Sequence, residues 1–252
     1  MDVLDLDLSS TWPRHLREIV ESVAKENPEY MFLDSSKSNL IPDVIRWKIL
    51  DSFADAPIAV YHATKLLEHE IESVNSLGLQ AVSKIMLTAR ITQALSHECI
   101  TAVFAKYLID HGLRSASESN REGKISVFTS RLALRRKYGL QRQFNLWGGE
   151  ALRNKFEDGH DVFETLRSIG EPAVVKGFVN LESQEGVERY FFDLTFNLLK
   201  VWGGGPERDQ KGGQFTVASL PSDRILEVII ERLNPEEWAD LAPMSESPEE
   251  ND

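Results

Sequence analysis

The order of helical and strand-like segments is the feature that most limits the fold of this chain. Helical periodicity dominates the first half, interrupted by one short apolar strand at residues 58–61. A second strand pattern at residues 124–128 precedes further helical patterns, and several strand patterns come last. Because strands and helices do not alternate regularly, we predict an α+β fold with a mixed or antiparallel sheet and flanking helices, not a doubly wound sheet.

The last third of the chain changes from helical to strand-like patterns. We predict strands at residues 173–181, 190–201 and 214–220, and a final helix at residues 224–233 after Pro221. The predicted helices before this region cover residues 12–26, 41–53, 65–76, 81–110 (as one helix or two), 132–137, 151–156 and 161–168.

The two ends of the chain differ from its middle. The first two helical patterns, ended by Ala56-Pro57, predict an N-terminal helical extension over residues 1–57 that caps a main domain over residues 58–234. Residues 235–252 are polar and acidic, which is typical of a flexible tail.

Charge and cysteine content narrow the class of protein. The formal net charge of −12 makes the surface as a whole repel nucleic acid and anionic membranes. Basic residues still crowd residues 131–155, which indicates either a local binding surface or a solvated helix face. No segment is apolar enough to span a bilayer, residues 1–10 lack a signal-peptide layout, and Cys99 is the only cysteine. We therefore predict a cytoplasmic protein without disulfides or metal ligands.

Two short stretches place polar residues next to predicted strands. His62 and Thr64 follow the strand at residues 58–61, where a side chain can face a cleft and bind a ligand. The structural alternative is a buried, hydrogen-bonded histidine and a threonine that caps a helix starting at Lys65. Similarly, Thr129 and Ser130 follow the strand at 124–128, where their hydroxyls can bind a sugar or simply cap a helix.

Two aromatic residues are further ligand candidates. Tyr138 can stack on a flat heterocycle or serve as a core aromatic. The segment "NLWGGEALR" offers Trp147 as a second stacking face, two glycines that permit close backbone approach, and Glu150 at a helix start. Charge compensation at the helix N-terminus is the structural alternative for Glu150.

Taken in order, these motifs resemble the ADP-ribosyltransferase family. Members open with a strand ending in a pattern such as Y-H-G-T and a helix closing on Gly-Leu, and this chain has "VYHAT…EHEIESVNSLGL". The poly-ADP-ribose-polymerase branch of this family continues with a strand and a short helix ending in tyrosine, and this chain has "ISVFTSRLALRRKYG". The segment "FTVASLPSDRILEVI" is similar to a closing strand and Pro-led helix. The resemblance covers roughly residues 58–230 at a few motif positions and implies a split sheet that binds NAD.

The resemblance also implies roles for individual residues. His62 and Thr64 would contact the adenosine ribose of NAD, and Tyr138 would stack on the nicotinamide. A glutamate would bind the nicotinamide ribose and stabilise the oxocarbenium-like state as nicotinamide leaves. Glu182 lies at the end of a predicted strand, as the family glutamate does. Glu150 lies in the more distinctive segment "NLWGGEALR". Both stay candidates for the catalytic glutamate. The implied cofactor-binding set is His62, Thr64, Phe128, Thr129, Ser130, Tyr138 and Trp147, with Thr129 and Ser130 beside the nicotinamide ribose.

The predicted activity is transfer of ADP-ribose from NAD to a macromolecular acceptor, RNA or protein, as in a bacterial toxin or a phage-defence effector. At the first aromatic position of the poly-ADP-ribose-polymerase strand, this chain has Val127 or Phe128 and not tyrosine. This difference favours a single transfer or a loss of activity over polymer synthesis. An antitoxin or regulatory partner fits this interpretation. A non-enzymatic interaction module and an RNA 2′-phosphotransferase-like enzyme are the alternatives. The residues that would contact the acceptor are Arg135, Arg136, Lys137 and Arg142.

Overall fold

The fold is α+β, built around one antiparallel sheet. A computed structural model of the chain describes residues 2–33, 39–53, 55–112, 122–131, 144, 146–149, 152, 161–180, 191–204 and 214–231. The helices are α1 (Arg14–Glu26), α2 (Asp43–Asp51), α3 (Glu68–Leu77), α4 (Lys84–Ser96), α5 (Ala102–Tyr107), α6 (Asp161–Ser168) and α7 (Phe191–Trp202). The strands are β1 (Pro57–Leu66), β2 (Leu79–Gln80), β3 (Ile125–Phe128), β4 (Glu171–Asn180), β5 (Gln214–Val217), β6 (Ser219–Leu220) and β7 (Ile225–Ile230).

Strand β1 lies at the centre of the main sheet, whose strand order is β5-β3-β1-β4-β7. Its pairing with β4 is antiparallel along both strands, from Pro57 opposite Asn180 to Leu66 opposite Glu171. Its pairing with β3 is recorded at one position, Tyr61 opposite Phe128. The two edges of β1 are therefore unequal: one is fully paired, and the other leaves room for different contacts.

The N-terminal helices share a hydrophobic core with a helix from the last third of the chain. This core joins α1 and α2 to α7 through buried side chains that include Leu16, Ile49 and Leu199. Leu4 forms a parallel bridge to Ile58 at the start of β1. The division into residues 1–57, 58–234 and 235–252 stays a prediction, and the last of these segments lies outside the described residues.

A second core joins α4, α5 and α6. It includes Leu87, Ile91, Leu108 and Leu166, together with Trp147. Two helix starts in this region are capped by hydroxyl side chains: Ser83 Oγ accepts from the Met86 amide, and Thr101 Oγ1 accepts from the Phe104 amide. Among the described residues, no helix is both long enough and apolar enough to cross a membrane.

Two element predictions from the last third are wrong. Residues 190–201 were expected as a strand but belong to helix α7. Every residue from 194 to 200 is buried, and the alternation of Asp193, Thr195 and Asn197 with apolar residues is the pattern typical of a strand. In the described part of the helix predicted at residues 224–233, Arg224 ends a 3₁₀ turn that begins at Ser222, and Ile225–Ile230 form strand β7. Its β-branched side chains pair with β4 along the edge of the sheet.

The first strand and the helix after it also differ from the prediction. Strand β1 continues to Leu66, so Thr64 lies inside the strand and does not cap a helix. Helix α3 begins at Glu68 and ends at Leu77, and the next residue, Gly78, is the predicted C-cap, whose amide donates to the Val74 carbonyl. The predicted helices at residues 132–137 and 151–156 fall almost entirely outside the described residues.

Candidate functional site

The imidazole of His62 is tied to the neighbouring strand. Its Nδ1 lies 2.8 Å from the backbone carbonyl oxygen of Ser126 in β3. Since a carbonyl oxygen only accepts, Nδ1 carries a proton and donates it. This bond lies just beyond the single recorded β1–β3 pair at Tyr61 and Phe128, so the side chain joins the strands where their backbone pairing stops.

The surroundings of His62 favour its neutral form. Burial lowers the pKa of the ring, the hydrogen bond to Ser126 offsets part of this effect, and the positive charge of Arg90 lowers the pKa further. With Nδ1 protonated, a neutral ring keeps a lone pair on Nε2. Nε2 makes no hydrogen bond to any residue in the described ranges. The site therefore offers one fixed acceptor for a ligand hydroxyl.

Acidification is expected to destabilise the protein through His62. Its pKa in the folded protein lies below the unfolded value of about 6.5, so the unfolded chain binds protons first as the pH falls. The free energy of unfolding should be highest at pH values above the unfolded pKa and should decrease as the pH falls towards the folded pKa. Urea denaturation of wild type and His62→Gln at several pH values measures this.

In His62→Gln the pH dependence should be shallower than in wild type. A residual slope of the free energy of unfolding against pH is expected from His69. Its pKa is also lowered, first by burial and second by the charge of His97. Equal slopes in wild type and variant would contradict the assignment to His62.

Thr64 lies on the same face of β1 as His62, because alternate residues of a strand point to one side. It lies opposite Ala173 in β4 and is partly exposed. The structure therefore brings His62 and Thr64 together as neighbouring polar groups on one face of the sheet. Their roles as NAD contacts stay predictions.

Phe128 lies on the other face of the sheet. It pairs with Tyr61, whose side chain points away from the His62 side. Because β1 and β3 are antiparallel, the chain after Phe128 runs toward the start of β1 and away from Thr64. The structure thus does not place Phe128 and the residues after it beside Thr64.

The two hydroxyls after β3 are buried. Ser130 Oγ donates to a carboxylate oxygen of Asp7 at 2.6 Å, and its side chain is fully buried. Thr129 Oγ1 is buried and has no hydrogen-bond partner among the described residues. Both hydroxyls stay candidates for ribose contacts, but Ser130 already binds a carboxylate of the protein itself.

Trp147 is enclosed in the protein core. Only 1% of its surface is exposed, and its indole N–H donates to Glu70 Oε2 at 2.9 Å. The Arg90 guanidinium lies 5.1 Å from the centre of the ring. Stacking of Trp147 on a ligand therefore stays a prediction that requires Arg90 to move.

Glu70, which is buried, and Arg90, which is partly buried, form an ion pair beside this site. Arg90 Nε and Nη2 donate to the two carboxylate oxygens of Glu70 at 2.6 and 3.0 Å, and the Leu67 amide donates at 2.8 Å. Burial by itself would raise the pKa of Glu70, but the charge of Arg90 and these hydrogen bonds outweigh it and lower the pKa. Glu70 thus stays ionised, and the paired Arg90 acts on His62.

The sequence pattern does not predict Glu70 or Arg90 as site residues. The one available signal is a glutamate three residues after Leu67, the helix position from which a carboxylate reaches back to the first amide. Leucine in place of the usual serine or threonine hides this signal. The partner, Arg90, lies on the next helix and has no sequence signal.

Several predicted site residues lie outside the described residues. These are Tyr138, Glu150 and Glu182, and the predicted acceptor-binding residues Arg135, Arg136, Lys137 and Arg142. Their convergence on His62 stays a prediction. In the described part of the chain, no group of three or more His, Cys, Asp or Glu side chains is arranged to hold a metal ion.

Comparison with known proteins adds no relative from which a function could be transferred. No protein-family model, no curated protein and no solved structure matches the chain.

Proposed function

We propose that this chain is a cytoplasmic, NAD-dependent ADP-ribosyltransferase-like enzyme that modifies RNA or protein. The observation that carries this proposal is the position of His62. Its Nδ1 is held by the Ser126 carbonyl, and its Nε2 makes no hydrogen bond to a described residue. A rigid neutral imidazole at a strand–strand gap is suited to accept a hydrogen bond from a ribose hydroxyl.

The rest of the proposed site follows from the motif order. Thr64 supports the same part of the dinucleotide from the same face of β1. Tyr138 stacks on the nicotinamide, and Glu150 or Glu182 places negative charge beside the developing cation as the glycosidic bond breaks. The acceptor approaches through the basic segment around Arg135.

Removing the His62 imidazole is expected to weaken NAD binding. Loss of one ligand hydrogen bond, worth about 1.4 kcal/mol, should raise the dissociation constant of NAD for His62→Ala about tenfold. Calorimetric titration with NAD measures this. His111→Ala is the matched control, since His111 is exposed near the end of α5 and should leave the affinity unchanged.

Activity is tested with labelled NAD and cell extract. Wild type should transfer label, and one of Glu150→Gln and Glu182→Gln should abolish transfer while keeping NAD affinity. Label on nucleic acid or on protein identifies the acceptor class. No transfer together with no NAD binding by wild type or by any variant would overturn the proposal.

An interaction module is the second candidate, favoured by apolar residues exposed around α2. Val44 is 74% and Phe32 70% exposed, and Leu40 and Trp47 are each more than half exposed. Exposed apolar side chains of this size can mark a protein-binding surface. If this candidate is correct, Val44→Glu should abolish partner binding and NAD should not bind.

A further inference from the structure

Two stacked histidines join the start of α3 to the end of α4. His69 is the second residue of α3, and His97 directly follows the last residue of α4. Their ring centres are 4.1 Å apart and their planes differ by only 6°, so the imidazoles lie face to face. The same two helices are also joined by the ion pair between Glu70 and Arg90. The stack therefore holds the C-terminal end of α4, and the ion pair holds the helix nearer its middle.

The Nε2 atom of His69 is buried and makes no hydrogen bond to any residue that the structure describes. A neutral imidazole can leave a lone pair in such a place, because its single proton can sit on Nδ1. A protonated imidazole carries an N–H on both ring nitrogens, so Nε2 would become a charged, buried donor without an acceptor. The stacked arrangement therefore accommodates the neutral ring of His69 and disfavours the protonated ring.

The turn that directly follows the stack is strained. Among the described residues other than glycine, Glu98 alone has a positive φ, of 57°. Residues with a side chain adopt this backbone region only where surrounding contacts hold them there. The turn is closed by the Glu98 amide, which donates to the Leu95 carbonyl at 3.0 Å, and by the Cys99 amide, which donates to the Ala94 carbonyl at 2.9 Å. Loss of the stack at His97 would let this turn relax.

The charges around His69 act in both directions. Burial lowers the pKa of His69 most, and the charge of His97 lowers it further. Glu70 and Glu72 on α3 raise the pKa, and Arg90 on α4 lowers it. The result is a pKa below the ordinary value, so the stacked form binds a proton more weakly than a form in which the ring faces water. A falling pH therefore favours an arrangement in which His69 has left the stack.

We propose that the His69–His97 stack is a pH-sensitive clasp that releases the end of α4 when His69 takes up a proton. In the open form the His69 ring turns to water, where both of its N–H groups find acceptors. The carboxylate of Glu70 stays ionised and keeps Arg90, so only the end of α4 moves. This movement uncovers Cys99, which packs against the second core. The clasp does not depend on the proposed function.

Cys99 is a built-in probe of the clasp, because it is the only cysteine of the chain and its thiol lies 3.6 Å from the His97 carbonyl oxygen. It is partly buried, so it should react faster with dithiodipyridine when the end of α4 is released. Dividing its rate by that of glutathione at the same pH corrects for the change in thiolate fraction. This ratio should rise about fivefold from about pH 7.5 to about pH 5, a range that spans the ordinary imidazole pKa of about 6.5.

His69→Phe keeps a flat ring against His97 but cannot take up a proton, so its reactivity ratio should stay constant over this range. His111→Phe is the matched control, because it removes an imidazole that packs against Tyr107 and should keep the wild-type rise. Equal pH dependence in wild type and His69→Phe, or loss of the dependence in His111→Phe, would overturn the clasp.

A second measurement uses wild type alone and does not depend on how the variant folds. Amide hydrogen exchange of residues 97–99, compared with the intrinsic rate at each pH, should lose protection as the pH falls, whereas exchange in α1 should keep it. Constant protection of residues 97–99 over the same range would overturn the clasp. Neither measurement involves NAD, so failure of the clasp and failure of the proposed function are separate outcomes.

Discussion

Replacing Glu70 with alanine is expected to lower the free energy of unfolding by about 3 kcal/mol, because it breaks a buried ion pair. The substitution removes both hydrogen bonds that the carboxylate accepts from Arg90. It also leaves the Leu67 amide and the Trp147 indole N–H without their acceptor in the protein interior. A buried donor without a partner carries the full cost of its lost hydration.

Urea denaturation followed by circular dichroism measures this loss. Glu72→Ala is the control, because Glu72 lies on the same helix and removes the same charge from an exposed position. It should change the free energy of unfolding by less than about 0.5 kcal/mol. A similar effect of both substitutions would show that the ion pair contributes no specific stability.

A double-mutant cycle separates the ion pair from the other bonds of Glu70. If Arg90 stabilises the protein mainly through Glu70, Arg90→Ala should lower the free energy of unfolding less in the Glu70→Ala background than in wild type. Strict additivity of the two substitutions would contradict coupling between these side chains. The same cycle reports how firmly Arg90 is held beside His62.

Local periodicity predicted the elements whose burial is one-sided. Helix α1 buries Leu16, Val20 and Val23 on one stripe, and its predicted range of 12–26 is confirmed to within two residues. Strand β4 (Glu171–Asn180), which is buried on both faces, was predicted separately at residues 173–181, from a short apolar run with a clear end. The α+β class follows from these elements because it depends on their order and not on exact boundaries.

The wrong predictions lie where tertiary contacts decide. Helix α7 is buried from residue 194 to 200, and its polar residues Thr195 and Asn197 alternate with apolar ones as they would in a strand. Strand β7 follows a Pro-led turn that is typical of a helix start, and its pairing with β4 overrides that signal. Neither contact is visible in a local window of sequence.

The candidate site also combines residues that a local sequence pattern indicates with contacts that only the fold creates. His62 and Thr64 were singled out because both come directly after the apolar run at residues 58–61, and the structure places both inside β1 on one face. The bond from His62 to Ser126 spans 64 residues, and the bond from Ser130 to Asp7 spans 123. Such pairs are created by the fold and leave no periodic signal in the sequence.

Replacing Gly78 with alanine is expected to destabilise the protein by about 3 kcal/mol or more, since it combines backbone strain with a collision. Gly78 ends α3 with φ of 82° and ψ of −175°, a conformation that residues with a side chain rarely adopt. An added Cβ would lie 2.3 Å from the Leu220 carbonyl oxygen and 2.6 Å from the Pro221 carbonyl carbon. Both contacts are backbone atoms, so no rotamer change relieves them.

Gly123→Ala is the control that isolates the strain. Gly123 has a similar φ of 72°, but an added Cβ would meet nothing within 4 Å. It should therefore cost only about 1 kcal/mol, the penalty for the left-handed backbone. Thermal and urea unfolding of the two variants measure the difference, which combines the collision at Gly78 with the strain of its ψ of −175°. Equal losses would mean that the chain at Leu220 and Pro221 can move away from α3, and that this contact does not fix the end of the helix.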